Sequence, residues 1–123
     1  MTIIEMITDV DALKPNGYEQ PYKVQWLSQL DMRVKQDIID THEGGDGVSF
    51  SGYTDDTPID TELLIPHPYD EVYRYWLEAQ IDYANGEYAK YNNSMSMFNT
   101  AYSAYERYYN RTHMPKGNNL KFF

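Results

Sequence analysis

The sequence predicts a mainly all-α protein, a small helical bundle that ends in one long helix or a helical hairpin. Apolar residues recur at helical spacing over most of the chain, and helix-start signals precede these stretches. With 123 residues, the chain is expected to form a single domain over residues 1–123. Within it, residues 43–68 should form a long loop or a β-hairpin arm between the second and third helices, and residues 114–123 a C-terminal tail.

The first two helices are predicted from start signals followed by apolar stripes. Thr2 and Glu5 form a capping box, in which each side chain accepts a hydrogen bond from the backbone amide of the other residue. The first helix should end at residues 15–17, and the second should begin near Pro21 and stop around residues 41–44. The stripes are Ile3, Ile7, Val10 and Leu13 in the first helix, and Val24, Leu27, Leu30, Val34 and Ile38 in the second.

Apolar residues in the second half recur in alternating steps of four and three from Leu77 to Tyr109. That spacing is typical of a helix packed lengthwise against partners. Asn85 and Gly86 normally signal a break, but the spacing passes through them without losing phase. We therefore predict one long helix over residues 69–111, with a helical hairpin turning at Asn85 and Gly86 as the alternative. The predicted packing and interface seam consists of Trp26, Trp76, Tyr88, Tyr91, Met95, Phe98, Tyr102, Tyr105 and Tyr109.

Residues 43–68 differ in composition from the helical segments. They hold four of the seven glycines and three of the six prolines. A loop of this length inside a compact domain usually has a function or a partner. Residues 48–53 and 62–65 are rich enough in β-branched and aromatic side chains to form short strands that pair as an arm. The alternative is a mobile surface loop.

The net charge of −9 lies entirely in the first half of the chain. Residues 1–62 contain 13 acidic and 4 basic residues, whereas residues 63–123 contain 6 of each. Such a charge repels phosphate backbones and argues against tight binding to DNA or RNA. The absence of cysteine excludes disulfides, and the sequence offers neither a signal peptide nor a span of about 18 apolar residues, so we expect a soluble protein without membrane partners.

The residues that could carry catalysis are scattered. His42, His67 and His113 do not fall at the spacing of a metal site, and the acidic residues of the long loop lack the register of a calcium-binding loop. The glycines at residues 44–47 are not followed by the Lys-Ser/Thr of a phosphate-binding loop. We expect no enzyme activity, no catalytic or metal-binding residue and no cofactor.

The second half of the chain resembles a known group of phage proteins. Residues 66–117 carry PYDE at 68–71, WLEAQIDY at 76–83 and YNRTHMP at 109–115, and WLSQLD at 26–31 agrees in placement. These strings are similar to those of small proteins encoded in the head–tail region of tailed phages and prophages. In particular, the chain resembles the head–tail connector (head completion or adaptor) proteins of long-tailed phages, and the likeness covers most of the chain.

The resemblance implies a helical subunit that forms a ring with its own copies. Such a ring joins the portal protein to the tail-side adaptor or terminator proteins, and DNA passes through it without specific binding. It implies a virion protein of the head–tail junction, assembled in the cytoplasm of a bacterial host. The residues implied to face the lumen or a partner are the loop carboxylates Glu43, Asp46, Asp55, Asp56 and Asp60, and those implied to dock on a neighbour are Leu120, Phe122 and Phe123 of the tail.

Two other classes of function stay open from the sequence. An acidic inhibitor that mimics DNA would suit the charge asymmetry, although such mimics usually space their carboxylates along a regular surface. A small enzyme with an unrecognised site is the other. Binding to a portal protein would favour the connector, and binding to a nuclease or polymerase would favour the inhibitor.

Overall fold

The computed structural model describes residues 1–116 and shows a mainly helical protein, as predicted. The helices found in this part of the chain are α1 (Ile3–Leu13), α2 (Gln20–Val34), α3 (Glu71–Ala84) and α4 (Tyr88–Thr112). α3 is the central element, because α1, α2 and α4 all pack against it. The largest fully buried side chains come from all four helices and from the loop before α3, and they include Ile3, Leu27, Ile65, Tyr73 and Phe98.

The start of α1 has the predicted capping box. The Glu5 amide donates to Thr2 Oγ1 at 3.2 Å, and the Thr2 amide donates to Glu5 Oε1 at 2.9 Å. The apolar stripe is buried at Ile3, Ile7 and Val10. Leu13, which the stripe also included, is the last residue of the helix and is 63% exposed.

The end of α2 widens into a π-helical turn over Lys35–Ile39. Its marker is the Asp40 amide, which donates to the Lys35 carbonyl at 2.8 Å, five residues back. A short 3₁₀ turn, Gly45–Gly47, follows. Gly45 lies so close to the π-helical turn that a Cβ added to Gly45 would be 2.1 Å from the Ile39 carbonyl oxygen.

α3 and α4 form a helical hairpin, so the preferred prediction of one helix over residues 69–111 was wrong and the alternative was right. Gly86 adopts a left-handed backbone with φ +75°. The Gly86 amide donates to the Tyr83 carbonyl at 3.0 Å, and the Glu87 amide donates to the Asp82 carbonyl at 2.9 Å. This pair of hydrogen bonds is a Schellman motif, which ends a helix and lets the chain reverse.

The segment before α3 is not a β-hairpin arm. The stretches predicted as strands, residues 48–53 and 62–65, form no strand and do not pair with each other. Within residues 1–116 the β-type pairings are two single-residue bridges, Thr2 with Glu62 and His42 with Pro115. The segment instead lies on the helices and buries Tyr53, Leu63 and Ile65 in the core.

Candidate interaction surfaces

One face of α4 is exposed and free of charge. Charged residues make up 24% of the chain, yet none occurs from Tyr91 to Tyr105. Met97 is 46% exposed on this face. We call the following exposed residues the charge-free face: Asn92, Asn93, Ser96, Met97, Asn99 and Thr100.

The opposite side of α4 belongs to the core. Phe98, Tyr102, Tyr105 and Tyr109 are buried there. The Phe98 ring lies 5.2 Å from the Trp76 ring between centroids. Burial raises the pKa of Tyr102 to about 12 and that of Tyr105 further, so both phenols stay neutral at physiological pH.

The predicted packing and interface seam therefore divides into three groups. Its C-terminal members form the core described above. Trp26, Trp76, Tyr91 and Met95 are half-buried, and Trp76 Nε1 donates to the Trp26 carbonyl at 2.7 Å. Tyr88 is 59% exposed at the tip of the hairpin.

The tip of the α3–α4 hairpin carries an aromatic cluster at the surface. Tyr83 and Tyr88 are 58% and 59% exposed. The Tyr83 ring lies 5.5 Å from the ring of Tyr88 and 5.2 Å from that of Tyr91, both in edge-to-face geometry. Large exposed aromatic side chains of this kind are typical of contact surfaces between proteins.

The predicted acidic residues are all exposed, but they do not form one patch. Asp55 borders a groove with Pro21, in the first turn of α2. Asp46 lies beyond the other end of α2, where it pairs with Lys116 at 3.0 Å. That hydrogen bond and the lysine charge hold the pKa of Asp46 below its usual range. The acidic residues thus fall into two groups, Glu43 and Asp46 at one end of α2, and Asp55, Asp56 and Asp60 towards the other.

A buried carboxylate on α2 organises the long segment, and the sequence reasoning did not identify it. Asp31 is completely buried. It accepts hydrogen bonds from the hydroxyls of Tyr53 and Tyr73, at 2.5 and 2.6 Å, and from the Leu64 amide at 3.2 Å. Tyr73 in turn accepts from the Ile65 amide at 2.7 Å. Asp31 thus connects α2, α3 and the segment between them.

Burial raises the pKa of Asp31 to about 6, and the hydrogen bonds from the two tyrosines and from Leu64 act in the opposite direction. The position of Asp31 along α2 indicates in the sequence that its side chain is buried. Asp31 lies four residues after Leu27 and three before Val34, and therefore on the apolar stripe of α2. A carboxylate on such a stripe must have buried partners.

A second buried carboxylate connects three helices. Asp82, on α3, is completely buried. Its Oδ1 accepts from Lys14 at 2.6 Å, and its Oδ2 accepts from the Ser94 hydroxyl of α4 at 3.0 Å. Both Asp31 and Asp82 have all their oxygens engaged by neighbouring side chains or backbone, which is the pattern of structural carboxylates and not of an open catalytic site.

Residues 1–116 bring together no group of three or more His, Asp or Glu side chains suited to hold a metal ion. Nor does any helix described here have the length and apolarity needed to cross a membrane. The predicted docking residues Leu120, Phe122 and Phe123 lie outside the described residues.

Comparison with known proteins adds no further constraint. No protein-family model, curated protein or solved structure matches the chain. Among the surfaces of the described residues, the charge-free face of α4 is the most distinctive.

Proposed function

We propose that the chain is a subunit of a head–tail connector of a long-tailed phage. In this proposal its copies associate in a ring between the portal protein and the tail-side proteins, and DNA passes through the ring. The starting point is the resemblance of residues 66–117 to connector proteins. The observation that carries the proposal is the charge-free face of α4, an exposed helix surface from which charge has been excluded in a highly charged protein.

The absence of charge from this face suits a contact between subunits. The buried centres of protein interfaces are depleted of charged residues and enriched in Met. Met97 lies in the middle of the face, and its unbranched side chain adapts to an irregular partner surface. The flanking Asn, Ser and Thr side chains remain compatible with water before assembly, which suits a subunit that joins its partners late.

A ring requires that the charge-free face meet a different surface on the next copy. Head-to-tail contacts of this kind close into a ring when the rotation between copies allows it. The aromatic cluster of Tyr83, Tyr88 and Tyr91 is a second contact surface of suitable chemistry. It lies at one end of α4, so it is available to the portal or to a tail-side protein while the face itself contacts a neighbour.

In this proposal, the exposed acidic residues keep passing DNA from adhering to the ring. Exposed carboxylates repel the phosphate backbone, which keeps a passing duplex from adhering. Asp55, Asp56 and Asp60 are the better candidates for a lumen surface, because none of them forms an ion pair within residues 1–116, whereas Asp46 is neutralised by Lys116. In the same proposal, Glu43 and Asp46 face a partner subunit and not the lumen.

A second candidate function is an acidic inhibitor that mimics DNA. The observation that favours it is the exposure of the same carboxylates, Asp55, Asp56 and Asp60. It accounts less well for the charge-free face of α4, since a DNA-binding enzyme presents a basic surface and gains nothing from an uncharged one.

Purified chain mixed with purified portal complex tests the proposal. We expect electron microscopy to show an additional ring on the portal, and mass measurement to give a fixed number of chains per portal. Stable binding to a nuclease or polymerase, together with no association with the portal, would contradict the connector and support the inhibitor.

A further inference from the structure

A groove lies between α1 and the first turns of α3. Its volume is about 310 Å³, and Met1, Met6 and Leu13 supply its apolar surface. Leu13, which is 63% exposed, also lines the groove and offers an apolar surface to an occupant. The carboxylates of Asp9 and Glu71 stand at its border.

The charge at the border of the groove is negative. Arg74 is the basic side chain that lines it, and its guanidinium is already bound by Glu71 at 2.5 Å and by Glu78 at 3.5 Å. Asp9, in contrast, is exposed and forms no ion pair with any residue in the described range 1–116. An occupant with apolar side chains next to one basic group would complement both features of the groove.

The chain itself contains a segment of that chemistry. Residues 117–123, GNNLKFF, follow the last described residue and place Lys121 between the apolar side chains of Leu120 and Phe122. We infer that the groove binds this segment from a neighbouring copy of the chain, with Leu120 or Phe122 against Leu13 and Met6, and Lys121 facing Asp9. The inference rests on the proposed ring, for which it identifies one subunit contact.

A neighbouring copy is the expected donor because a segment of one copy bound in a groove of the next is a head-to-tail contact, which propagates from copy to copy as a ring requires. Within one chain, the segment starts from Lys116, whose amide donates to the Thr41 carbonyl at 2.9 Å and whose Nζ donates to Asp46 at 3.0 Å. The experiment below therefore compares disulfides between chains with disulfides within one chain.

Engineered cysteines test the inference in the full-length chain, which has no cysteine of its own. Leu13→Cys chains are mixed with Phe122→Cys chains and oxidised, and mixed disulfides are counted by mass spectrometry. We expect these disulfides to form about tenfold faster than disulfides between Tyr22→Cys and Phe122→Cys chains. Burial of one apolar side chain in the groove raises the fraction of tails held beside residue 13 by about that factor. Tyr22 is the matched control, since it is 54% exposed on α2 and away from the groove. Adding Asp9→Lys to the Leu13→Cys chain should slow the reaction.

Three outcomes would overturn the inference. They are equal rates for the Leu13 and Tyr22 pairs, no effect of Asp9→Lys, or a disulfide that forms within a Leu13→Cys/Phe122→Cys double variant but not between chains. Its failure is distinguishable from failure of the connector. A ring on the portal without this cross-link would leave the function standing, whereas cross-linked chains that never join a portal would leave the contact standing.

Discussion

The hydroxyl of Tyr73 on α3 donates to the buried carboxylate of Asp31 on α2 at 2.6 Å, and it accepts from the Ile65 amide at 2.7 Å. One phenol thus joins two helices and the segment between them. Because the carboxylate is completely buried, each donor aimed at it replaces a water that it has lost. The long segment owes its position on the helices to this small network more than to regular secondary structure.

Tyr73→Phe is expected to lower the free energy of unfolding by about 2–3 kcal/mol, since it removes a hydrogen bond to a buried carboxylate and leaves the Ile65 amide without its acceptor. Chemical denaturation measures the loss. Tyr22→Phe, at a tyrosine that is 54% exposed, is the matched control and should change stability by less than about 0.5 kcal/mol. Equal effects of the two variants would show that the network contributes nothing.

The raised pKa of Asp31 predicts a specific pH dependence. Its pKa is about 6 in the folded protein against an ordinary value of 3.8, so the folded state retains a proton that the unfolded chain has lost. The contribution of Asp31 to stability is therefore complete below about pH 4 and is lost as the pH rises to about 6. Measured against Asp31→Asn, which does not titrate, the free energy of unfolding of the wild type should fall by roughly 2–3 kcal/mol over that range.

A flat or rising difference between the two proteins would contradict this account of Asp31. Tyr53→Phe provides an independent check, because the hydrogen bond from Tyr53 lowers the pKa of Asp31. Carbon NMR of the Asp31 carboxyl should therefore show a higher pKa in this variant than in the wild type.

Helix starts could be predicted from the sequence where a local capping or proline signal determines them. The capping box at Thr2 fixes the start of α1, and Pro21 lies in the first turn of α2. The turn at Gly86 was only the alternative prediction, because the spacing of apolar residues continues from Ala84 to Tyr88 across it. That continuity is a coincidence of register, since both of these residues are exposed in the folded chain. The glycine was the better signal, because a left-handed residue ends a helix whatever follows.

The long segment could not be predicted from local propensity. Residues 48–53 have the side chains of a strand, but a strand needs a partner, and here the backbone amide of Tyr53 donates to the Ser28 hydroxyl of α2 at 2.9 Å instead. Such tertiary contacts override β propensity. For the same reason the acidic residues, which are close in sequence, are separated in space by the course of this segment along α2.

Gly45→Ala is expected to destabilise the protein by about 2 kcal/mol or more, because the added methyl group would overlap a backbone atom that cannot move alone. The new Cβ would lie 2.1 Å from the Ile39 carbonyl oxygen and 2.8 Å from its carbon. Gly47→Ala is the control in the same 3₁₀ turn, since a Cβ there meets nothing within 4 Å. Thermal unfolding of the two variants side by side gives the comparison, and similar melting temperatures would contradict the close approach.

Replacing Asp55, Asp56 and Asp60 together by Asn should leave folding intact, with a change in stability within about 0.5 kcal/mol, because all three are exposed. If these carboxylates face passing DNA, particles assembled with the triple variant should release their DNA more slowly. Asp37→Asn is the control, at an exposed carboxylate in the π-helical turn that has no assigned role. Loss of folding, or normal release, would argue against a lumen role for the three residues.

In the proposed connector, the charge-free face of α4 joins neighbouring subunits in a ring on the portal. This contact is tested by electron microscopy of portal complexes mixed with Met97→Glu or Tyr22→Glu chains, after circular dichroism has shown both to be folded. Both positions are about half exposed, so each accepts a charge without disturbing the core. We expect complete rings with Tyr22→Glu and none with Met97→Glu. Rings formed equally well by both variants would show that this face does not join the subunits.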